Sequence, residues 1–236
     1  MNKINYIPAF YIGERKHSGY AKELQNNQLI MVEKQIEALN KTDIQFVTFA
    51  FNLDDITMSQ EIEEKIKSYN INFNYECYFR QNKGCSYGAW NDVIIKNLND
   101  FDYFFIIEDD FIPIVKDFYV PFIERSSYEI PYVCEFTDSE WKGLPHASIP
   151  HGIMRSDACK FIYEKYGNIL KTYEQDNRLE TFYKIQMECY EYFINEGFGI
   201  TDILDSYSAP FMSSPTRTVT IFGDPKNPVL LDPIIL

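Results

Sequence analysis

Apolar and polar positions in this chain switch between two periods, and the switch points mark the elements. Ile4 to Ile12 is a β-prone apolar run broken at Gly13. Over residues 21–39, Leu24, Met31, Val32, Ile36 and Leu39 fall near one face of a helix. Ile44 to Phe51 reads as a second strand, and Asn52-Leu53-Asp54-Asp55 as the loop that leaves it. Thr57 with Gln60 predicts a capping box for a helix carrying Ile62, Ile66 and Tyr69. Phe73 to Phe79 is a third strand, Arg80 to Tyr87 a polar loop with glycine, and Ser86 is placed to cap a helix running through Leu98. Tyr103 to Ile107 is a fourth strand. The β-α-β-α-β-α-β order predicts an α/β fold, a Rossmann-type mainly parallel sheet with helices on both faces. Ligands of such sheets bind beyond the carboxyl ends of the strands. The loops 13–19, 52–55, 80–86 and 108–112 are expected to share that edge.

The second half is less regular. A short helix is expected over 118–125, a strand over 130–136, a loop from Thr137 to Pro150 and a short strand at Gly152-Ile153-Met154. A helix capped by Ser156 or Asp157 is expected to reach about Leu170. Leu179, Phe182, Tyr183, Met187, Tyr190 and Ile194 share a stripe on a long helix over 177–195, which Gly197 stops. Phe198 to Ile203 reads as a last strand. From Pro210 the chain is rich in Pro, Ser and Thr, an irregular tail expected to pack over the rest.

Composition narrows the function. With 45% hydrophobic and 17% aromatic residues, the 236-residue chain can bury a large core. Its 22 basic against 35 acidic residues leave a formal charge of −13, which argues against a nucleic-acid surface. The five cysteines form no CxxC pair, which fits reduced thiols in a cytosol-like compartment. No apolar run has the length of a membrane span, and the amino terminus lacks the apolar core of a signal peptide. A cytoplasmic protein, free or peripheral to a membrane or assembly, is expected.

The strongest chemical signal is Tyr103-Phe104-Phe105-Ile106-Ile107-Glu108-Asp109-Asp110, an apolar strand running into three acids. Adjacent carboxylates at the end of a buried strand repel one another, so a cation should offset them. Mn2+ or Mg2+ bridging to a substrate phosphate fits, because these ions favour carboxylate oxygens and phosphates. The other reading is a solvated acidic turn.

Several segments together resemble the glycosyltransferase A (GT-A) fold, in particular its family-2-like nucleotide-diphospho-sugar transferases. Glu108-Asp109-Asp110 looks like that fold's Asp-x-Asp metal motif, with Glu in the first place. Arg80-x-Asn82-x-Gly84-x-x-x-Gly88-Ala89-x-Asn91 resembles the segment that precedes the motif and packs near nucleotide and donor sugar. The 26 residues from Gly84 to Asp110 have room for the helix and strand between them. Gly197-Phe198-Gly199-Ile200 resembles the closing Gly-aromatic strand. The resemblance implies one domain, with a nucleotide-binding half over 1–115, an acceptor half over 116–208 and a tail over 209–236. It implies metal binding by Glu108 and Asp110, and donor contacts from Phe10, Tyr11, Gly13, Arg15, Asn52, Asp54, Arg80, Asn82, Gly84, Ala89, Asn91 and Asp109. Trp141, His151 and Gly152 fall where the acceptor would lie. The activity implied is transfer from a nucleotide-diphosphate sugar, UDP-linked by preference, to a glycan-type acceptor, with the metal stabilising the departing diphosphate.

An inverting enzyme of this kind needs a carboxylate base. Glu188 has a suitable interval to Gly197, but on an unbroken helix over 177–195 it would face solvent. Glu180 lies in the first turn, Glu191 flanks the apolar stripe, and Asp138 and Asp157 are further candidates. A sugar nucleotidyltransferase would share the sheet and the metal, but it usually has a Gly-rich basic loop after the first strand, where this chain has Gly13-Glu14-Arg15-Lys16-His17. A non-catalytic glycan- or nucleotide-binding module is the third reading.

Overall fold

The computed structural model describes residues 2–13, 29–109, 111–138, 146–173, 184, 185, 188–203, 222 and 223. Four strands open the chain: β1 (Ile4–Ile12), β2 (Phe46–Leu53), β3 (Asn74–Gln81) and β4 (Tyr103–Glu108). Helices α1 (Ile30–Leu39), α2 (Ser59–Lys67) and α3 (Cys85–Asn97) alternate with them. Then come β5 (Ile112–Pro113), α4 (Val120–Arg125), β6 (Tyr132–Asp138), β7 (His146–Arg155), α5 (Ser156–Tyr166), α6 (Glu191–Asn195), β8 (Ile200–Asp202) and β9 (Phe222–Gly223).

Seven strands form one sheet in the order β3-β2-β1-β4-β7-β6-β8. β1 pairs in parallel with β2 and β4, β2 with β3, and β6 with β8. β7 runs against both of its neighbours, β4 and β6. The fold is α/β with a mainly parallel sheet, as the alternation predicts.

Side chains of a strand point alternately to opposite faces, and here each face has its own core. Tyr6, Phe10, Phe49, Phe51, Phe105 and Ile153 pack with Met31 and Ile36 of α1, Ile62 and Ile66 of α2, and Phe122 of α4. Ile7, Ala50, Phe104, Ile106 and Met154 pack on the other face with Trp90 and Ile94 of α3, Cys159 and Ile162 of α5, and Phe193 of α6. Burial of both faces explains why β1, β2 and β4 read as nearly continuous apolar runs.

Several local expectations are corrected. The loop expected over 137–150 gives way to strand from His146, so β7 has 10 residues where a short strand was expected. Asp55, not Thr57, makes the cap after β2: its Oδ1 accepts from the Thr57 N–H at 2.9 Å and precedes a 3-10 turn over Ile56–Met58. Ser86 does not cap α3, whose N-cap is Gly84 in the left-handed region at φ 70°. α5 stops at Tyr166, where Gly167 takes φ 71°. The long helix expected over 177–195 is interrupted, because Cys189 and Tyr190 form a turn before α6.

Candidate functional site

Because β1 to β4 are parallel, their carboxyl ends meet at one edge, and two polar arrays stand there. The first covers β1–β3. The Tyr11 hydroxyl donates to Asp54 Oδ2 at 2.5 Å, and Asn82 Nδ2 reaches Asp54 Oδ1 at 3.5 Å. Gly13 lies beneath this pair. A Cβ there would sit 2.3 Å from Asp54 Oδ2 and 2.5 Å from the Tyr11 hydroxyl. Arg80 donates to Asn52 Oδ1 at 3.2 Å, to the Lys83 carbonyl, and through Nε to Asp92 of α3 at 2.9 Å. Gly88 makes room for that guanidinium, since a Cβ would lie 2.3 Å from its Nη1.

The second array surrounds the end of β4. Ser86, in the first turn of α3, donates to Glu108 Oε1 at 3.3 Å. Glu108 Oε2 faces His151 Nε2 of β7 at 3.8 Å, and His151 Nδ1 faces Glu135 Oε2 of β6 at 3.6 Å. The ladder between β6 and β7 is irregular at this point. It passes from Cys134↔Gly152 to Phe136↔Ile149, so Glu135 stands opposite both Pro150 and His151. A bulge accommodates a proline, which has no N–H to give the ladder, and sets the buried acid beside the imidazole. His151 is 1% exposed. Burial opposes its charging, but the carboxylates of Glu108 and Glu135 prevail and raise its pKa from 6.5 to about 9. The shift favours the protonated ring, which stands behind the acid turn.

The turn itself is tied to both neighbours. The Tyr11 N–H points at Asp109 Oδ2 at 3.5 Å, and Gln35 of α1 donates to the carbonyls of Asp109 and Phe111. Phe111 packs on His151 with ring centroids 4.2 Å apart. β5, two residues further on, pairs antiparallel with β9, so part of the C-terminal tail lies next to this turn.

No family model matches the chain, and no curated protein sequence does. The fold is similar to the crystal structure of HddC from Yersinia pseudotuberculosis, at 15% identity and a TM-score of 0.45 over 89% of this chain and 98% of that one. Nothing about chemistry follows from so distant a likeness.

The edge gathers Tyr11, Gly13, Asn52, Asp54, Arg80, Asn82, Gly84 and Glu108, as the sequence predicts. Other assignments are corrected. Phe10 is 1% exposed and stacks on Phe51 at 5.1 Å, so it is core and not a platform for a base. Ala89 is fully buried in the α3 core. Asn91 accepts from the Ile169 and Leu170 N–H groups at 2.9 and 3.0 Å and donates to Asn168 at 3.2 Å, which makes it a brace for the chain after α5. His151 is buried, and a Cβ on Gly152 would lie 2.2 Å from the Val133 carbonyl, so neither lines an acceptor surface. Asp109 is 6% exposed and turned towards β1. Arg15, Asp110, Trp141 and Glu180 lie outside the described residues.

Glu188 departs from its helical-wheel position. Its side chain is 15% exposed. It accepts from the Tyr173 hydroxyl and lies 3.3 Å from Lys171 Nζ, which also meets Glu191 at 2.5 Å. Burial would raise its pKa, but these hydrogen bonds outweigh burial and hold it below the usual carboxylate value. Thr172, between Lys171 and Tyr173, has its Cβ 3.4 Å from the point a Gly84 Cβ would occupy. This segment therefore crosses the start of α3, two residues from the serine that bonds Glu108.

Sequence reasoning missed Glu135, Ser86 and Gln35. Pro150 inside an otherwise strand-compatible stretch was the one available sign of a bulge.

Among the described residues no group of three or more His, Cys, Asp or Glu side chains could hold a metal ion, and no helix is long and apolar enough to cross a membrane. Glu108, with 23% of its side chain exposed, offers one carboxylate at the edge. One or two carboxylates plus substrate phosphates are the usual protein share of a Mg2+ site, and Glu108 fits as one ligand of such a site.

Proposed function

We propose that the chain is a glycosyltransferase that moves a sugar from a nucleotide-diphosphate donor, UDP-linked by preference, to a hydroxyl of a glycan, glycolipid or glycoprotein. The observation that carries this reading is that one sheet edge holds both polar arrays, Tyr11–Asp54–Asn82 with Asn52–Arg80 over β1–β3 and Glu108 with Ser86 at the end of β4. The first presents a carboxylate, amides and a guanidinium in fixed positions, which suits the donors and acceptors of a base and ribose. The second suits the diphosphate end.

Mn2+ or Mg2+ would be held by Glu108, by Asp110 as the sequence motif implies, and by the donor phosphates. When bound, the ion acts as a Lewis acid on the departing diphosphate. His151 keeps a positive charge behind Glu108 and so limits the repulsion that the acid turn presents to phosphate. Glu188, held ionised by Lys171 and Tyr173, takes the proton from the acceptor hydroxyl.

A thermal-shift series tests this reading with UDP, GDP and their sugar derivatives, each with Mn2+ and with chelator. A ligand at about 100 times its dissociation constant adds about 2.7 kcal/mol of stability. Stabilisation by one nucleotide only with metal, followed by slow metal-dependent hydrolysis of its sugar derivative, is expected. A folded protein that responds to none of these nucleotides sinks the proposal.

One observation favours a second reading, a non-catalytic nucleotide- or glycan-binding module: the buried His151 ring already stands 3.8 Å from Glu108, on the side where a metal ion would otherwise balance the acid. Under that reading nucleotide binding is indifferent to metal and no donor is hydrolysed.

A further inference from the structure

The opposite edge of the sheet carries a cavity of about 410 Å³. It lies where the amino ends of β1, β2 and β3 meet the approach to β4. A strand rises roughly 3.3 Å per residue, so six-residue β4 puts it on the order of 20 Å from Glu108. Its size is in the range of small-molecule sites.

The walls are aromatic. Phe46 and Phe101 line it with ring centroids 4.9 Å apart, together with Tyr119. Two of these rings pack on a neighbour, Phe101 on Phe104 at 6.2 Å and Tyr119 on Phe118 at 5.6 Å. The apolar surface is therefore in place before any ligand arrives.

The rim is polar without a dominant charge. Gln45 and Asn74 bring amides, each able to donate and accept. Gln45 is positioned by its bond to the Asp43 carbonyl at 3.0 Å. The Asp43 carboxylate is paired with Lys116 at 3.1 Å. Lys3 and Asp100, also on the rim, are of opposite sign. A phosphate would meet Asp43 and Asp100, and an organic cation would meet Lys3 and the Lys116 that pairs with Asp43. A ring with apolar C–H faces and a girdle of hydroxyls matches both the walls and the rim.

We propose that this cavity binds a neutral sugar unit of a glycan, as a site separate from the nucleotide edge. The proposal does not rest on the transferase reading. If that reading also holds, the cavity anchors a distant part of the acceptor.

The test is an amide NMR titration of the full chain with lactose, maltose, cellobiose and chitobiose at millimolar concentration, where a weak sugar site is populated. Choline and inorganic phosphate serve as counter-probes. At least one disaccharide is expected to shift the amides of Gln45, Phe46, Asn74 and Phe101 saturably, without shifting those of Tyr11 and Asn82. Asn74 is exposed, so Asn74→Ala should leave thermal unfolding unchanged and weaken the sugar about fivefold, the size of one lost hydrogen bond. The proposal is overturned if no disaccharide moves these amides. It is equally overturned if choline or phosphate moves them in place of the sugars, or if Asn74→Ala binds as the parent does. UDP with Mn2+, added separately, reports on the other edge, so failure of one site is read independently of the other.

Discussion

His151 of β7 stands between two acids that are far from each other in sequence, with Nε2 3.8 Å from Glu108 and Nδ1 3.6 Å from Glu135. Buried charges of like sign are tolerated only when an opposite charge is close. The acid turn that dominates the sequence is thus backed by a cation built into the fold.

Removing that cation should be costly. His151→Leu keeps much of the volume and leaves Glu108 and the buried Glu135 facing an apolar group. We expect a loss of about 3 kcal/mol in urea unfolding, the usual scale for breaking a buried ion pair. The double variant with Glu135→Gln should recover part of it through pairwise coupling. A His151→Leu protein within about 0.5 kcal/mol of the parent would show that the three groups do not interact as described.

The Tyr11–Asp54 contact should matter to binding more than to folding. The atoms nearest a Cβ at Gly13 belong to the far ends of these two side chains. Gly13→Ala is therefore expected to leave the fold intact, push the pair apart and weaken UDP about tenfold, or 1.4 kcal/mol. Tyr11→Phe should act in the same direction. Isothermal titration on both variants checks this, and unchanged affinity in both would remove Asp54 from the nucleotide site.

Glu188 is predicted to carry the proton transfer. Glu188→Gln should lower kcat by about 100-fold or more, with KM for the donor little changed. Tyr173→Phe, which removes one of the bonds that keep Glu188 ionised, should shift the acid limb of the rate profile to higher pH. Full turnover by Glu188→Gln would move the base elsewhere, to Glu180 or Glu191.

Acid stability should report on Glu76. Thr48, Lys96 and Asn97 all bond this half-buried carboxylate. Burial would raise its pKa, but those bonds prevail and hold it below 4.5. A depressed folded value means that its contribution is present above the ordinary carboxylate pKa and is lost as pH falls through the lowered one. The stability gap between the parent and Glu76→Gln should therefore shrink as urea unfolding is repeated from about pH 6 down to about pH 3. A gap independent of pH would contradict this.

The first four strands were legible because both of their faces are buried, which turns Ile4–Ile12 and Tyr103–Ile107 into unbroken apolar runs. The polar edge followed from parallel pairing, and with it Tyr11, Asn52, Asp54, Arg80 and Glu108. The second half was less legible for physical reasons. β7 runs backwards and begins inside a stretch with Pro145 and Pro150, so it looked like loop. Glu108, Glu135 and His151 come together only through that reversal and a bulge, which no local period encodes. Glu188 reads as solvent-facing on a regular helix, but Lys171 and Tyr173 of the segment after α5 fold over it, a long-range contact that no local period encodes.

Asn91 shows how the two sides of the site are mounted. Its carbonyl holds the Ile169 and Leu170 N–H groups against α3, and Thr172 then rests over Gly84. Lys171 and Tyr173, which grip Glu188, are thus bolted to the same helix whose first turn steers Glu108 through Ser86. Both acids are held through one helix, so a disturbance at Lys171–Tyr173 is felt at the end of β4 as a change of aim.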